Sequence, residues 1–452
     1  MLYRKIRTYI EDHLKSKDDK ILLIEGARQI GKSYIIRDVG KRLYKNYIEI
    51  NFVIDSEGEK IFQNVHTTEE FYLKLSMIGG SKLDKYENTL VFIDEIQQYS
   101  QFLTLIKFLR EEHRYRFICS GSLLGIALKR TVSVPIGSVI LKKMYQLDFE
   151  EFLIANNFGQ DAIDYMRKSF EMKQSLPGEI HEKVLTLFKR YLLVGGMPAA
   201  VNEYLTSHNI VKVRDVQDSI RILYGVDASR YEEESAKKLY IRRIYDMIPS
   251  QMENKKKRIV AKAIQNKTGD RFSNYIEEFE YLINSGISIA SIAISNPKYP
   301  LVESQQKNLL KLYMNDVGML SFLLYQYNVQ PILNDIDSIN LGAVYENVVA
   351  QELKAHYGKL FYYDNKQKGE VDFLVDDCFT MSVLPIEVKS GKDYTIHSAL
   401  DNLMSIRDYN IKSSIVLSNE REVKVKGNIT YFPIYYVMFM GYKFPDTKDL
   451  YF

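Results

Sequence analysis

Ile21-Leu-Leu-Ile24-Glu25-Gly26-Ala27-Arg28-Gln29-Ile30-Gly31-Lys32-Ser33 is an apolar run that breaks into a glycine-flanked turn and ends on a lysine and a hydroxyl. The run reads as a buried strand and residues 33–42 as a helix, so the turn joins a strand to a helix N-terminus. Glycine at 26 and 31 lets backbone N–H groups close around a polyphosphate, and the helix end adds its own field. Lys32 then sets a compact positive charge against the outer phosphates, while the Ser33 hydroxyl suits Mg2+. On this reading Gly26, Ala27, Arg28, Gln29, Ile30, Gly31, Lys32, Ser33 and Tyr34 line a nucleotide. A second apolar run, 90–93, ends in Asp94-Glu95. Asp94 at that strand tip is expected to hold the same Mg2+ through water, and Glu95 to orient or deprotonate an attacking water. Together the two motifs predict ATP with Mg2+, GTP being the other purine trinucleotide that fits.

The chain has 452 residues, too many for one core, which suggests about three domains at roughly 100–200 residues each. Lys+Arg 61 against Asp+Glu 58 leaves a net charge of +3, so nucleic-acid binding would have to come from a local patch. Cys119 and Cys378 lie far apart and fit no zinc spacing, which suits a reducing cytoplasmic compartment. Charged Glu11-Asp12 follows the N-terminal segment where a signal sequence would be apolar, and the longest uncharged run, 281–297, is interrupted by Asn, Ser and Gly. Neither a signal peptide nor a membrane partner is expected.

Strand patterns at 21–24, 47–52, 90–93, 115–119 and 139–145 alternate with helical ones at 33–42, 68–77, 100–113 and 123–129. That order predicts an α/β fold, a parallel sheet wrapped by helices, over a P-loop core spanning 1–147. Residues 148–240 read as a helical lid region, punctuated by Pro177-Gly178 and Gly195-Gly196-Met197-Pro198. Residues 241–329 read as three helices and a hairpin, resembling a winged helix-turn-helix. Lys255, Lys256, Lys257, Arg258, Lys262, Lys267 and Arg271 there face only Glu253 and Asp270, a basic patch able to track phosphates. The competing reading is a solvated helix face in a module that joins domains, because Glu277, Glu278 and Glu280 sit on the helix that would enter a groove. A linker at 330–340 leads to an α/β unit over 341–452, with helices at 341–357 and 398–409 and strands at 360–363, 370–375, 384–388 and 413–417.

That last unit carries a second constellation. Gly369-Glu370-Val371-Asp372-Phe373 and Pro385-Ile386-Glu387-Val388-Lys389 put Asp372 and Glu387 on adjoining strands, with Lys389 on the face of Glu387. Two carboxylates can bind Mg2+, the ion can acidify a water, and Lys389 can position the nucleophile on a phosphodiester. Glu346 on the preceding helix is a further ligand or hydrogen-bond partner. The plain alternative is ordinary strand charge directed at solvent; charges that interrupt apolar strands in a covered sheet, however, need partners.

Several motifs together resemble the prokaryotic AAA-type ATPases that carry a C-terminal domain of unknown function. They are the 26–33 loop, Phe92-Ile-Asp-Glu-Ile-Gln97, Cys119-Ser-Gly-Ser-Leu-Leu124, Leu147-Asp-Phe-Glu-Glu-Phe152, Gly195-Gly-Met-Pro198 and Leu312-Tyr-Met-Asn-Asp-Val-Gly318. Glu346, Glu370-Val-Asp-Phe373 and Pro385-Ile-Glu-Val-Lys389 match that C-terminal domain, which is similar to the PD-(D/E)XK nuclease fold. The resemblance implies a P-loop ATPase core, a helical lid, a winged-helix middle and a restriction-endonuclease-like end. It also implies a γ-phosphate sensor at Ser120 or Ser122. Where such proteins commonly carry Gly-Arg, this chain has Gly137-Ser138, leaving Arg130 or Arg28 as substitutes. An arginine at the transition state is worth about 10³-fold or more, so its loss implies slow switching.

The sequence reading is thus a slow ATPase that binds ATP and Mg2+ and whose nucleotide state controls a nuclease-like domain acting on DNA. Glu95 serves hydrolysis, Asp372, Glu387 and Lys389 cleavage, Ser33 and Asp94 the nucleotide-bound metal, and Asp372 and Glu387 a second metal. Its rival is a nucleotide-dependent switch or scaffold whose last domain binds DNA or protein without cutting, as a homo-oligomer or with a protein partner. A small-molecule kinase is a third and weaker reading, since no acceptor pocket is suggested.

Overall fold

A computed structural model describes residues 2–122, 124, 137–230, 235–254, 257–259, 261–265, 271–304, 309–334, 341–391 and 393–441, with backbone alone at 228–230 and 235–236. The expected helix 123–129 apart from Leu124, together with Arg130, Lys255, Lys256, Lys267 and linker positions 335–340, lies outside the described residues. The chain divides into two compact units, Met1–Gln146 with Glu280–Gly286, and Leu147–Phe279 with Ile287–Phe452.

The first unit is built on a five-stranded sheet. Its strands are β1 (Ile21–Glu25), β2 (Asn46–Asn51), β3 (Thr89–Asp94), β4 (Arg116–Gly121) and β5 (Val139–Lys143), in the order β2-β3-β4-β1-β5. Every neighbouring pair is parallel. β1, β3 and β4 are buried along their whole length, as continuous aliphatic runs must be when helices cover both faces. Helix α1 (Lys5–Lys15) was not apparent in the sequence; α2 (Lys32–Leu43) contains the expected helix 33–42 with one residue more at each end and buries Ile35, Ile36 and Val39. Aromatic side chains fill the core, with the Phe52 and Phe102 rings 4.5 Å apart. Because β4 lies between β1 and β3, Ser120 stands between the glycine loop and Asp94, and the three strand tips align.

The second unit combines helices with an eight-stranded mixed sheet in the order β12-β13-β11-β10-β9-β8-β6-β7. These strands are β6 (Ser288–Ile294), β7 (Leu310–Met314), β8 (Leu360–Asn365), β9 (Gly369–Asp377), β10 (Ser382–Val388), β11 (Ser414–Ser418), β12 (Lys424–Lys426) and β13 (Ile429–Pro433). The β6–β7 hairpin, expected as a wing, pairs through β6 in parallel with β8 and so extends this sheet. Its composition explains the difference: Ile289, Ala293 and Ile294 are buried, whereas a free wing would expose one face. β12 and β13 escaped the sequence reading because one is three residues long and the other ends in proline. Residues Gln330–Leu333 of the expected linker form a short helix. The Gly342–Tyr357 helix, buried from Ala343 through Leu353, packs on β6, β7, β8 and β10. No helix of the described residues is long and apolar enough to cross a membrane.

Three of the quoted motifs meet inside this unit. Leu147 N–H donates to Gly196 O at 2.8 Å, and Asp316 accepts from Gly196 N–H at 2.6 Å and from Met319 N–H at 3.1 Å. Fully buried Arg214 donates to Leu193 O, Gly318 O, Gln217 Oε1 and Ser321 Oγ. Those motifs therefore serve as an internal knot of backbone caps.

Candidate functional site

In the first unit, the loop between β1 and α2 takes its shape from two glycines. A Cβ at Gly26 would lie 2.3 Å from Met144 O, and Gly31 holds a φ of 91° where it meets α2. Arg4, buried at the start of α1, braces the loop by donating to Ile30 O at 2.9 Å and to Tyr145 O. Ala27 and Ile30 are buried, Gln29 has a φ of 66°, and Tyr34 is exposed.

Lys32 is buried, and its ammonium donates to Gly26 O at 2.9 Å and Ala27 O at 2.8 Å. Desolvation lowers its pKa, against the opposing pull of Glu95 and Asp94. Asp94 is the hub. Its Oδ2 accepts from Ser33 Oγ at 2.8 Å and from Asn51 Nδ2 at 3.0 Å, and its Oδ1 accepts from Ser120 Oγ. Burial raises the pKa of this carboxyl while the two serines hold it down. Ser33 and Asp94 thus offer an all-oxygen pair of the kind Mg2+ takes when phosphates and water complete its shell.

Glu95 sits beside this hub in the left-handed region, with φ 53° and ψ 47°. Its Oε2 accepts from Gln97 Nε2 and, at 3.2 Å, from Ser122 Oγ. Arg28 Nε reaches the same Ser122 at 3.5 Å. The structure therefore brings Arg28, Lys32, Ser33, Asp94, Glu95, Ser120 and Ser122 together. The sequence reading missed Arg4, Asn51 and Gln97. Asn51 had a usable signal: it is a polar residue ending an apolar strand that pairs with the Asp94 strand.

In the second unit, Asp372 and Glu387 lie on antiparallel neighbours one step beyond the Phe373–Ile386 pair. Asp372 Oδ2 accepts from Val388 N–H at 2.8 Å, and Lys389 Nζ pairs with Glu387 Oε1 at 2.8 Å. Glu387 Oε2 is buried and has no hydrogen-bond partner among the described residues. Burial, then the charge of Glu387, raises the Asp372 pKa; burial also raises that of Glu387, with Lys389 opposing.

Glu346 is engaged elsewhere. Its Oε1 accepts from Tyr313 Oη at 2.7 Å and from Lys311 Nζ at 3.1 Å, and its Oε2 pairs with Lys257. Burial disfavours its charge, yet Lys311 and Lys257 outweigh burial and hold the carboxyl well below the usual range. Lys311 is fully buried and also pairs with Glu370 at 2.6 Å. Arg258 pairs with Asp364 and lies 4.0 Å from Glu370. Two members of the basic patch are thus bound to carboxylates, unlike the solvated or phosphate-tracking face expected. Among the described residues no three His, Cys, Asp or Glu side chains form a group able to hold a metal ion. Lys311 and Tyr313 carried a faint signal, two polar residues at period two in an apolar strand.

A parallel sheet whose strand tips bring together a glycine-flanked loop, its lysine and serine, and an aspartate defines a P-loop nucleoside triphosphatase fold. Residues 18–153 match the family described as AAA domain, so the first unit carries an AAA-type ATPase domain. Residues 185–329 match Domain of unknown function (DUF8612), and residues 341–437 match Domain of unknown function (DUF4143). No curated protein matches the chain. Among solved structures, the Walker-type ATPase PABY2304 of Pyrococcus abyssi shows 15% identity and a TM-score of 0.43, covering 72% of this chain and 96% of that one. The RuvB Holliday junction branch migration motor of Thermotoga maritima shows 12% identity and a TM-score of 0.31, covering 64% and 89%. AMPPCP-bound DnaA from Aquifex aeolicus shows 12% identity and a TM-score of 0.30, covering 62% and 86%.

Proposed function

We propose that this chain binds ATP with Mg2+, hydrolyses it slowly, and uses its nucleotide state to control a C-terminal nuclease-like domain acting on DNA. The observation that carries the first part is the convergence of Ser33, Asn51 and Ser120 on buried Asp94, next to a lysine already bonded to its own loop. On this reading the β- and γ-phosphates replace Gly26 O and Ala27 O as partners of Lys32. Ser33 and Asp94 would hold the Mg2+, which would supply positive charge against the charge developing on the phosphates. Glu95 aligns the attacking water and takes its proton, once its carboxylate turns away from Gln97 and Ser122. Arg28 is the described arginine on the loop itself, and Ser138 stands where an arginine would speed turnover.

For the C-terminal domain, the opposition of Asp372 and Glu387 with Lys389 beside them supports a phosphodiester-cleaving arrangement. The engagement of Glu346 by Lys257 and Lys311 favours a second reading, in which the domain binds DNA or protein and does not cut. Incubating the protein with plasmid DNA and Mg2+ or Mn2+, with and without ATP, separates the two. Cleavage that disappears in Asp372→Ala and Lys389→Ala supports the nuclease reading; intact plasmid under every condition supports the non-cleaving one.

A further inference from the structure

Glu280–Gly286 belongs to the first unit although it lies far along the chain from the rest of it. Its end is a closed turn. Ser285 N–H donates to Tyr281 O at 2.9 Å, Gly286 N–H to Ile283 O at 3.2 Å, and Ser285 Oγ to Leu282 O at 3.1 Å. Tyr281 and Leu282 anchor the turn by burial. Gly286 then takes a φ of 75°, and its backbone lies so near the glycine-flanked loop that a Cβ there would be 3.3 Å from Ala27 N and 3.4 Å from Ala27 Cβ. Only glycine suits both the left-handed backbone and that approach.

Ala27 is a residue whose partners change when a nucleotide arrives. Its carbonyl accepts from Lys32 Nζ at 2.8 Å, and that ammonium is the group the proposed function gives to the β- and γ-phosphates. At 4% exposure the Ala27 peptide has no solvent to move into, so a shift there is passed to whatever packs against it. Beyond Gly286 the chain enters the second unit at Ile287 and β6 at Ser288. Within that unit β6 pairs with β8 from Ser291–Leu360 to Ile294–Tyr363, and β8 pairs with β9 at Tyr363–Val371, the residue before Asp372.

We propose that Gly286 is a positioning residue of the nucleotide site: the turn at 283–286 responds when Lys32 leaves the Ala27 carbonyl for phosphate, and passes that change along the chain into β6. This rests on the nucleotide reading and deepens it, because it names the segment through which the occupied loop acts on the strand that pairs with β8. The ligand that drives it is a nucleoside triphosphate. Linkage makes the effect reciprocal, so a change that displaces β6 also alters nucleotide affinity.

Hydrogen–deuterium exchange of the full-length wild-type protein, with and without saturating ATP and Mg2+, tests this. Amides of residues 26–33 are expected to exchange at least about threefold more slowly with nucleotide, and those of residues 283–290 to change rate by at least about threefold as well. Slowing at 26–33 with no change at 283–290 overturns the relay and leaves the nucleotide site standing. No change at either overturns both. This comparison does not depend on the folding of a variant. Gly286→Ala, which sets a methyl against Ala27 on a left-handed backbone, is expected to weaken ATP binding about tenfold in calorimetry; a folded Gly286→Ala that binds as tightly as wild type overturns the proposal.

Discussion

Asp316 shows how much one residue determines in this chain. It has no solvent exposure, and its carboxylate accepts backbone N–H groups from Gly196 and Met319. Burial raises its pKa to about 6 from the ordinary 3.8, against the hydrogen bonds that lower it. An acid raised in the folded state contributes stability that is fully present below its unfolded pKa and lost as pH rises through the folded one. The roughly hundredfold change in proton affinity corresponds to about 3 kcal/mol between pH 3 and pH 7. Asp316→Asn, which cannot ionise, should flatten that part of the stability profile in urea unfolding; an unchanged slope would show that Asp316 does not titrate there. That Lys32, Ser33, Asp94 and Glu95 would be brought together was legible because their residue types and spacing point to one chemistry. Placement was hidden where a polar residue serves the interior: Arg4, Arg214 and Lys311 look like surface cations in a sequence, and only the fold shows that each is buried among acceptors.

Among the elements, the Gly342–Tyr357 helix organises the second unit through a polar stripe. Glu346 meets the lysines, Asn347 bonds both Met314 N and Met314 O at 2.9 and 3.1 Å, and Gln351 Oε1 accepts from Val317 N–H at 2.9 Å. The stripe satisfies the backbone where β7 turns into the next helix, which the sheet ladder cannot do. Asn347→Leu keeps the branched outline and removes both bonds, so it should cost about 2–4 kcal/mol in urea unfolding with an unchanged m-value. A loss below about 1 kcal/mol would mean that water or another group takes over those backbone atoms. The strands of the first unit were legible because long aliphatic runs on both faces have few other uses. The β6–β7 hairpin was misread as a wing because local pattern fixes a hairpin but not its partner, and pairing with β8 joins segments far apart in the chain.

For the whole molecule, two arrangements stand on one chain: the proposed nucleotide site at the strand tips of a parallel sheet, and a carboxylate cluster paired with the protein's own cations. The class of the first was readable from spacing alone, since phosphate binding requires glycine, lysine and hydroxyl at fixed steps. The state of the second was not, because two of its ammonium groups come from segments remote in sequence from the strands that carry Asp372 and Glu387. Calorimetry with ATP and Mg2+ on wild type and Lys32→Ala tests the proposed nucleotide site. Saturable heat is expected in wild type and affinity weakened about a hundredfold or more in the variant, the equivalent of two lost charge-assisted hydrogen bonds. Folded wild-type protein that gives no saturable heat, or a Lys32→Ala variant that binds as tightly, would contradict it.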